Sequence, residues 1–504
     1  MRIIFTGEHL KALEGSKELR RFSESRKILA SDPYRPLYHF SPPENVMNDP
    51  NGLCQWQGLY HLFYQFVPQN QNRVHWGHAV SEDLIHWQDL PIALRPDNER
   101  DCFSGQTLVE ADRVIAIYHG TQAGNMIATA SDPLLLNWRK HPNNPVIPIV
   151  PIDENGYPYR VFDPCIWKED DGYYSVSGTY KDGKLGVNCR GVVHLFHSSD
   201  LANWRYLGPL VEGGFYTEPG EDHAVPNFWP ISEKKHMLLF FSHKRAAQYY
   251  IGEYDKKTHR LHPEVHGRLN YGPWRIGSLH APSATIDRLG RFIAIFNVKE
   301  GKARQNWNDI MTLPRHFSLG PDNTLQVKPV KEITTLRFKH KQVGSIDIPA
   351  NKEVKLSGIR GKAMEMKAIF DVRSAREVGL YVFQSPDSSE QTRISFYHNA
   401  ERYSALQIDV SESSLRSDVF ARTPEIGPFA LKDDELLELH VFIDRSVVEV
   451  FANKRQCLTV RVYPKREDSN GVSVFARGDD AELISLDAWQ MHSIWPELRT
   501  MEGK

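Results

Sequence analysis

The stretch Ser81-Glu-Asp-Leu-Ile-His-Trp87 decides the fold, because related stretches occur twice more in the same part of the chain. They are Ser131-Asp-Pro-Leu-Leu-Leu-Asn-Trp138 and Ser199-Asp-Leu-Ala-Asn-Trp204, and each follows a run typical of a β-strand. Their intervals of 50 and 68 residues are similar to the length of a four-stranded propeller blade with loop insertions. A common turn with an anchoring Trp would explain any single copy, but all three lie in one strand-rich region. Roughly 300 residues at this spacing predict about five blades.

The sequence predicts three parts in an otherwise all-β protein. Residues 33–337, with short apolar-aromatic runs between Gly, Asn, Asp and Pro, form the predicted five-bladed β-propeller. Residues 338–504 form a predicted C-terminal β-sandwich, because in stretches such as Leu437–Asp444 the aliphatic residues fall at every second position and share one face. Residues 1–32 form a predicted N-terminal helical extension outside the propeller. Its apolar stripe needs a covering surface, which a second subunit of a homo-oligomer would supply.

Composition excludes several classes of protein. The 504 residues are 40% hydrophobic and 25% charged, with 61 Lys and Arg against 63 Asp and Glu, so neither disorder nor a nucleic-acid partner is expected. The 24 Phe, 20 Tyr and 11 Trp hint at stacking on sugars. Five scattered cysteines indicate reduced thiols rather than a disulfide framework or a zinc site. No apolar run predicts a signal peptide or a membrane span, so a cytoplasmic enzyme is expected, or a secreted one if a leader was removed.

The densest functional signal is Met47-Asn-Asp-Pro-Asn-Gly-Leu53. On its own, Asp49 could simply cap the tight turn that this composition predicts. Downstream, however, lie an aromatic strand ending at Gln65, His75-Trp-Gly-His-Ala79, Cys102-Phe-Ser-Gly-Gln106 and Val161-Phe-Asp-Pro164. A sugar hydrolase needs two carboxyl groups at one glycosidic bond, with aromatic and amide groups holding the hydroxyls.

Together these motifs resemble glycoside hydrolase family 32, the invertase, inulinase and levanase group, whose fold is a five-bladed β-propeller followed by a β-sandwich. The resemblance covers about residues 35 to 495. The motifs that carry it are Met47-Asn-Asp-Pro-Asn-Gly52, Tyr64-Gln65, Trp76-Gly-His-Ala79, Phe103-Ser-Gly105, Phe162-Asp-Pro164, Trp307-Asn-Asp-Ile-Met-Thr-Leu-Pro-Arg315 and Phe442-Ile-Asp-Arg-Ser-Val-Val-Glu-Val-Phe451. Any one of them would be a weak signal, but the ordered set is specific.

The resemblance implies a retaining glycosidase that cleaves β-fructofuranosidic bonds through a covalent fructosyl intermediate on Asp49. Asp163 would hold the fructosyl hydroxyls and stabilise the transition state. The implied fructose pocket consists of Asn48, Gln65, Trp76, Phe103, Ser104 and Trp307. The expected partners are sucrose, fructo-oligosaccharides or fructans such as inulin and levan, with no cofactor, metal, nucleic acid or membrane. Water or an acceptor sugar would resolve the intermediate, so fructosyl transfer is an open alternative to hydrolysis.

Two positions depart from the family pattern. Phe162 stands where the family usually has Arg, and Arg160 could compensate only by reaching back along its strand. Ala224, in Ala224-Val-Pro-Asn-Phe-Trp229, stands where the family has its acid/base Glu, and a methyl group cannot donate a proton. A shifted loop could bring in Glu218, Glu221 or Asp222 instead. Otherwise, because the other pocket motifs are intact, we expect a glutamate engineered to alanine and impaired turnover. The alternative is a non-catalytic fructoside-binding homologue.

Overall fold

The computed structural model describes residues 5–151, 154, 156–212, 216–303, 306–399 and 403–495. Its strands confirm the predicted class, a β-propeller followed by a β-sandwich. Within the described residues, five sheets form the propeller blades and two form the sandwich. Among these residues, no helix is both long enough and apolar enough to cross a membrane.

The N-terminal extension consists of two short helices, α1 (Gly7–Leu13) and α2 (Lys17–Leu29). Helix α2 packs against the first blade of its own chain. Its Arg26 donates two hydrogen bonds of 2.5 and 2.7 Å to Asp89 and lies 3.5 Å from the ring centre of Trp495. Phe22 of the apolar stripe is buried in the core of its own chain, whereas Ile28 is 73% exposed. The chain itself therefore covers part of the stripe, and these contacts give no support to the predicted homo-oligomer.

Each blade is a meander of antiparallel strands in which the first strand is innermost. Blade I contains β1 (Asn45–Trp56), β2 (Leu59–Val67), β3 (His75–Ser81) and β4 (Trp87–Leu94). Blade II contains β5 (Cys102–Val109), β6 (Val114–Gly120), β7 (Gly124–Ala130), β8 (Arg139–Lys140) and β9 (Ile147–Pro148). Blade III contains β10 (Pro164–Glu169), β11 (Gly172–Lys181), β12 (Arg190–Ser198) and β13 (Arg205–Pro209).

Blades IV and V complete the ring. Blade IV contains β14 (Ala224–Pro230), β15 (Lys235–Ser242), β16 (Ala246–Asp255) and β17 (Arg260–Arg268). The next strands are β18 (Leu279–Ile286), β19 (Phe292–Val298), β20 (Trp307–Asn308), β21 (Ile310–Met311), β22 (Arg315–Leu319) and β23 (Leu325–Pro329). All of these except β20 belong to blade V, whereas β20 pairs in parallel with β1 of blade I. The innermost strands contact one another in the order β1, β5, β10, β14, β18 and back to β1, which closes the propeller.

The three repeated corners that predicted the propeller join the third and fourth strands of blades I, II and III. Each corner places a buried leucine in the left-handed region, with φ of 67° at Leu84, 50° at Leu135 and 68° at Leu201. In each corner the carboxylate of the aspartate accepts backbone hydrogen bonds from the residues that follow. The same local structure therefore recurs in three blades.

A 3₁₀ helix (Lys331–Leu336) leads from the propeller to the sandwich. One sheet of the sandwich contains β24 (Arg337–Val343), β25 (Ile346–Ile348), β27 (Ala363–Asp371), β32 (Leu437–Asp444), β33 (Val447–Ala452), β34 (Gln456–Arg461) and β36 (Ala481–Met491). The other contains β26 (Lys352–Arg360), β28 (Glu377–Gln384), β29 (Thr392–Asn399), β30 (Tyr403–Asp409), β31 (Glu425–Pro428) and β35 (Gly471–Arg477). The apolar residues between the two sheets form one continuous core.

Candidate active site

The innermost strands of the propeller begin around a polar cavity of about 570 Å³. That volume is typical of a small-molecule site. Asn48, Asp49, Gln65, Phe103 and Asp163, all predicted from the sequence, line it. The structure thus brings together residues from blades I, II and III that are up to 115 positions apart in the chain.

Irregular backbone at the start of the innermost strands turns these side chains into the cavity. The pairing register shifts between Met47 and Pro50 in β1, and the equivalent strand of blade II shifts between Cys102 and Gly105. Blade IV shifts after Ala224, and the strand that carries His280 in blade V shifts as well. A β-bulge re-aims a side chain that a regular strand would leave in the sheet.

Asp49 has one held oxygen and one unpaired oxygen. Ser104 Oγ donates a hydrogen bond of 2.7 Å to its Oδ2, and Gln65 Nε2 donates another of 3.4 Å. Its Oδ1 lies 3.3 Å from Nδ1 of His280, but within the described part of the chain it accepts no hydrogen bond. The carboxylate is therefore fixed in orientation while one oxygen is left for a ligand.

Asp49 is kept ionised by its surroundings. Burial alone would raise its pKa, but contacts with His280, Lys299 and Ser104 lower the pKa below its ordinary value. Burial, together with the charge of Lys299, lowers the pKa of His280 to about 3, so this imidazole is neutral near pH 7. Lys299 rather than His280 therefore supplies the positive charge that favours the Asp49 carboxylate.

The pKa of Asp163 is shifted in the opposite direction. Burial and the charge of Asp49 raise its pKa well above its ordinary value. Its Oδ2 accepts a hydrogen bond of 3.3 Å from the backbone N–H of Val225, and its Oδ1 has no partner among the described residues. Among the carboxyl groups that line the cavity, the pKa is thus lowered for Asp49 and raised for Asp163.

A polar network joins the base of the cavity to Asp49. Asn48 donates a hydrogen bond of 2.8 Å from Nδ2 to Gln65 Oε1, and its Oδ1 accepts hydrogen bonds from Lys299 and Asn297. Lys299 also lies 3.2 Å from Oδ2 of Asp309. Amide and ammonium groups held in this way suit recognition of the hydroxyl groups of a sugar.

Three residues predicted for the fructose pocket lie just outside the cavity wall. Trp76 is fully buried and donates a hydrogen bond of 2.9 Å to the carbonyl of Phe103. Ser104 is also fully buried and connects to the cavity through its hydrogen bonds with Asp49 and Gln65. Trp307 donates its indole N–H to Asp32 at 2.8 Å, while its neighbours Asn308 and Asp309 line the cavity. These three side chains support the wall from behind.

At position 162, where this chain departs from the family pattern, the Phe162 ring lines the cavity and stacks on His119, with ring centres 4.6 Å apart. Arg160 does not reach the site. Its guanidinium lies 4.4 Å from the ring centre of Tyr157 and 4.8 Å from that of Tyr180. Arg160 therefore does not reach back along its strand toward the position of Phe162.

Ala224 is the first residue of β14, pairs with Phe241 and is buried in a small apolar cluster with Ala246 and Ala281. The cavity wall at this point is formed by Val225, which has φ of 48°, and by Phe241. The Ala224 side chain thus lies in an apolar cluster, and the described residues give no support to a shifted loop that would put Glu218, Glu221 or Asp222 in its place.

The three acidic residues before Ala224 have different environments. Glu218 is paired with Arg245 at 2.9 Å and Arg268 at 2.7 Å, and Glu221 is fully buried beside Gln248. Asp222 is bonded to His243, a cavity residue. Of the three, Asp222 alone connects to a side chain that lines the cavity, within the part of the chain that the structure describes.

Sequence reasoning missed several residues of the cavity wall, namely Phe241, His243, Arg275, His280, Lys299, Glu300, Lys302 and Phe420. Asp309 was inside a quoted motif but was assigned no role. None of the others belongs to the motifs that carried the family resemblance, and they come from strands and turns of blades IV and V or from the sandwich. In the described ranges, no group of three His, Cys, Asp or Glu side chains is arranged to hold a metal ion.

Comparisons with known proteins place this architecture in one family. Residues 39–329 match the glycosyl hydrolases family 32 N-terminal domain, and residues 332–490 match the glycosyl hydrolases family 32 C-terminal domain. A fructan 6-exohydrolase of Beta vulgaris is 27% identical, covering 95% of this chain and 90% of that protein. An insoluble β-fructofuranosidase isoenzyme of Arabidopsis thaliana is also 27% identical, covering 97% of each.

A solved structure shares the fold across both domains. Fructan 1-exohydrolase IIa of Cichorium intybus, in complex with 1-kestose, superposes with a TM-score of 0.79 at 25% identity. The superposition covers 92% of this chain and 98% of that one. With both family domains matched over most of its length, this chain is a member of glycosyl hydrolase family 32.

Proposed function

We propose that this protein hydrolyses β-fructofuranosidic bonds in sucrose or in fructans of the inulin or levan type, with Asp49 as the nucleophile. The observation that carries the proposal is the state of Asp49, a buried carboxylate with one oxygen held by Ser104 and the other unpaired in the cavity. The family relatives named above, fructan exohydrolases and a β-fructofuranosidase, support the same substrate class.

The reaction would proceed by double displacement. Oδ1 of Asp49 forms a bond to the anomeric carbon of the fructosyl unit while the bond from that carbon to the leaving oxygen breaks. The leaving oxygen takes a proton, and the product is an ester between Asp49 and the sugar. Water then attacks the same carbon and releases free fructose, whereas an acceptor sugar in place of water would give fructosyl transfer.

The pocket would hold the fructosyl unit through groups that the structure keeps in place. Asn48, Gln65 and Lys299 form one hydrogen-bonded set, and the unpaired oxygen of the Asp163 carboxyl is available to a sugar hydroxyl. These groups would support binding even without turnover.

The second candidate function is fructoside binding without catalysis. Ala224 and Phe162 favour it, because the first removes a proton donor and the second an arginine from positions where the family has them. Under this alternative the chain is impaired at residue 224, and sucrose or fructan binds but is not cleaved. The two candidates make different predictions about the products formed and about Asp49.

The test is product analysis on sucrose, inulin and levan, together with mass spectrometry during turnover of a slow fructoside. We expect fructose release and a fructosyl adduct on the peptide that contains Asp49, and neither in the Asp49→Asn variant. An adduct on Asp163 would reverse the two roles. Calorimetric binding of a fructoside with no product and no adduct would establish the binding function instead.

A further inference from the structure

We propose that His243, held by Asp222, is the proton donor of this site and protonates the leaving oxygen of the fructoside. The inference rests on the proposed hydrolysis and names the residue that supplies the proton, which Ala224 cannot supply. It depends on the contacts of two side chains from blade IV, neither of which is in a motif that identified the family.

His243 is fixed by two hydrogen bonds to one carboxylate. Its backbone N–H donates to Oδ1 of Asp222 at 2.8 Å, and its Nδ1 lies 2.6 Å from Oδ2 of the same residue. Because an ionised carboxylate can only accept, Nδ1 must be the donor in the second bond. The other ring nitrogen, Nε2, has no hydrogen-bond partner among the described residues and is left for a ligand.

The position of His243 suits a proton donor to a ligand of Asp49. His243 lines the same cavity as Asp49, with its side chain 31% exposed, whereas Asp222 behind it is only 5% exposed. The Phe241 ring centre lies 4.9 Å from that of His243 and 3.7 Å from that of His280, the residue beside Asp49. A ligand at Asp49 therefore shares one cavity with the free nitrogen of His243.

The turn that carries His243 is well ordered by its own hydrogen bonds. His243 directly follows β15, and the buried Ser242 Oγ accepts bonds of 3.2 and 3.3 Å from the N–H groups of Lys244 and Arg245. The Trp274 ring packs edge-on to the imidazole, with ring centres 5.6 Å apart. A donor held by its neighbours in this way loses little entropy when the substrate binds.

The other acidic groups near the site are less suited to the task. Glu218 is neutralised by two arginines, and Glu221 is fully buried and hydrogen-bonded away from the cavity. Asp163 has a raised pKa, but its Oδ2 accepts a hydrogen bond from the backbone of Val225, and its expected role is to bind the fructosyl hydroxyls. His243 thus combines a free donor nitrogen with access to the cavity.

The proton transfer balances without any further reactant. The imidazolium Nε2–H gives its proton to the glycosidic oxygen as that oxygen leaves the anomeric carbon and Asp49 bonds to it. The neutral Nε2 then accepts a proton from the water that attacks the anomeric carbon, which frees Asp49 and restores the imidazolium. Asp222 is a positioning residue that stabilises the imidazolium and keeps Nδ1 protonated.

This mechanism predicts a distinctive pH dependence. Activity on sucrose should fall toward alkaline pH, because neutral imidazole is a poor acid, and this alkaline limb should be absent without the imidazole. The charged and titratable groups around His243 are Asp222, Lys244, Arg275, His280, Asp49, Asp163, Lys299, Glu300, Lys302 and Asp309. Of the carboxylates among them, Asp222 is the one bonded to the ring, so it dominates the interaction.

The test compares His243→Gln and Asp222→Asn with the parent chain and with His262→Gln, an exposed histidine on β17 of the same blade. On sucrose we expect His243→Gln to lower kcat by about 10² to 10⁴-fold, as loss of a general acid does. Asp222→Asn should cost about 10-fold or more, because an amide N–H facing Nδ1 favours the neutral ring. His262→Gln should be unchanged.

Two further readouts separate proton donation from structural damage. On a fructoside whose leaving group departs without protonation, His243→Gln should retain most of the parent rate of fructosyl-enzyme formation. Added imidazole should partly restore hydrolysis of sucrose by His243→Ala. The alkaline limb should be present in the parent and absent in His243→Gln.

The outcomes distinguish this inference from the proposed function. If the parent hydrolyses sucrose but His243→Gln is equally active, or if Asp163→Asn shows the dependence on leaving group instead, His243 is not the donor. A gain of 10²-fold or more in Ala224→Glu, with no effect of His243→Gln, would also overturn the proposal. If the parent binds fructosides and cleaves none that need protonation, both the donor and the proposed hydrolysis are wrong.

Discussion

Asp49 and Asp163 are two carboxyl groups in one cavity whose environments move their pKa values in opposite directions. Asp49 accepts hydrogen bonds and has Lys299 nearby, whereas Asp163 is buried next to the charge of Asp49 with one backbone donor. Such a pair commonly divides tasks, with the ionised member bonding to carbon and the neutral member binding or donating. In this chain the division follows from the surroundings, since both residues are aspartates.

The raised pKa of Asp163 predicts that Asp163→Asn stabilises the fold as pH rises. The native state keeps a proton that the unfolded chain releases above about pH 4, so unfolding of the parent becomes easier as pH rises from there through the raised pKa. Asparagine cannot ionise and avoids this loss. Melting curves between pH 4 and 9 should show a stability gain in the variant that grows with pH.

Asp49→Asn is the matched control, because its effect on stability should depend on pH in the opposite direction. The lowered pKa of Asp49 stabilises the parent above the ordinary carboxyl pKa, and that contribution disappears as pH falls through the lower, folded value. The difference between parent and Asp49→Asn should therefore shrink toward acid pH. A Tm difference for Asp163→Asn that did not vary with pH would show that Asp163 is already ionised in the folded protein.

At the scale of elements, the corner around Asp83 shows how a short motif shapes a blade. Its Oδ1 accepts backbone bonds of 3.0 Å from Ile85 and 2.8 Å from His86, and its Oδ2 lies 2.7 Å from the His86 ring. These bonds hold Leu84 in a left-handed conformation, which is uncommon for a leucine, and the buried side chain fills the blade. Asp132 and Asp200 cap the equivalent corners.

We expect Asp83→Ala to destabilise the propeller by about 1 to 3 kcal/mol, because it leaves part-buried N–H groups without acceptors. Asp112→Ala, on an exposed loop of blade II, should change stability by less than about 0.5 kcal/mol. Denaturant unfolding of both variants, with activity on sucrose as a check on the site, measures the difference. Equal stability of the two variants would mean that the corner forms without its carboxylate.

The sequence predicted this fold well because its signals are local. The corner motif repeats, and the aliphatic residues of β32 fall at every second position over eight residues. Residues adjacent in a motif, such as Asn48 and Asp49, were also predicted to lie together, and they do. Trp307 was harder to place, because its direction depends on a contact with Asp32, 275 positions away.

The Asp222–His243 pair could not be predicted in the same way. The two residues are 21 positions apart, with a whole strand pair between them, and their contact arises when β14 and β15 align. His280 likewise reaches Asp49 only after the propeller closes between blades I and V. Side chains that act through three-dimensional contacts leave no spacing pattern in a single sequence.

At the scale of the whole molecule, one strand pair of the sandwich holds the beginning and the end of the propeller. Asp444 accepts hydrogen bonds from the backbone N–H groups of residues 37, 38 and 39. Glu449 accepts one from the N–H of Leu313 and pairs with Arg315 at 3.0 Å. These acidic residues of the motif Phe442–Phe451 therefore join the two domains, which explains why a motif far from the cavity belongs to the family pattern.

The buried pair Arg315–Glu449 gives the last prediction. Both side chains are fully buried, so Glu449→Gln leaves a guanidinium without a counter-charge inside the interface. We expect a loss of about 3 to 5 kcal/mol, as is typical when one partner of a buried ion pair is removed. Arg315→Met combined with Glu449→Gln should recover part of this loss, because no unpaired charge is left.

The control is the exposed pair Lys432–Asp322, in which the two side chains are 63% and 48% exposed. Removing the charge by Asp322→Asn should change the stability little, because water screens the pair. Calorimetry also shows how the domains are coupled. If the interface couples the unfolding of the propeller to that of the sandwich, the parent should melt in one transition and Glu449→Gln in two. A single transition at the parent Tm in Glu449→Gln would mean that the propeller and the sandwich are held together by their apolar contacts alone.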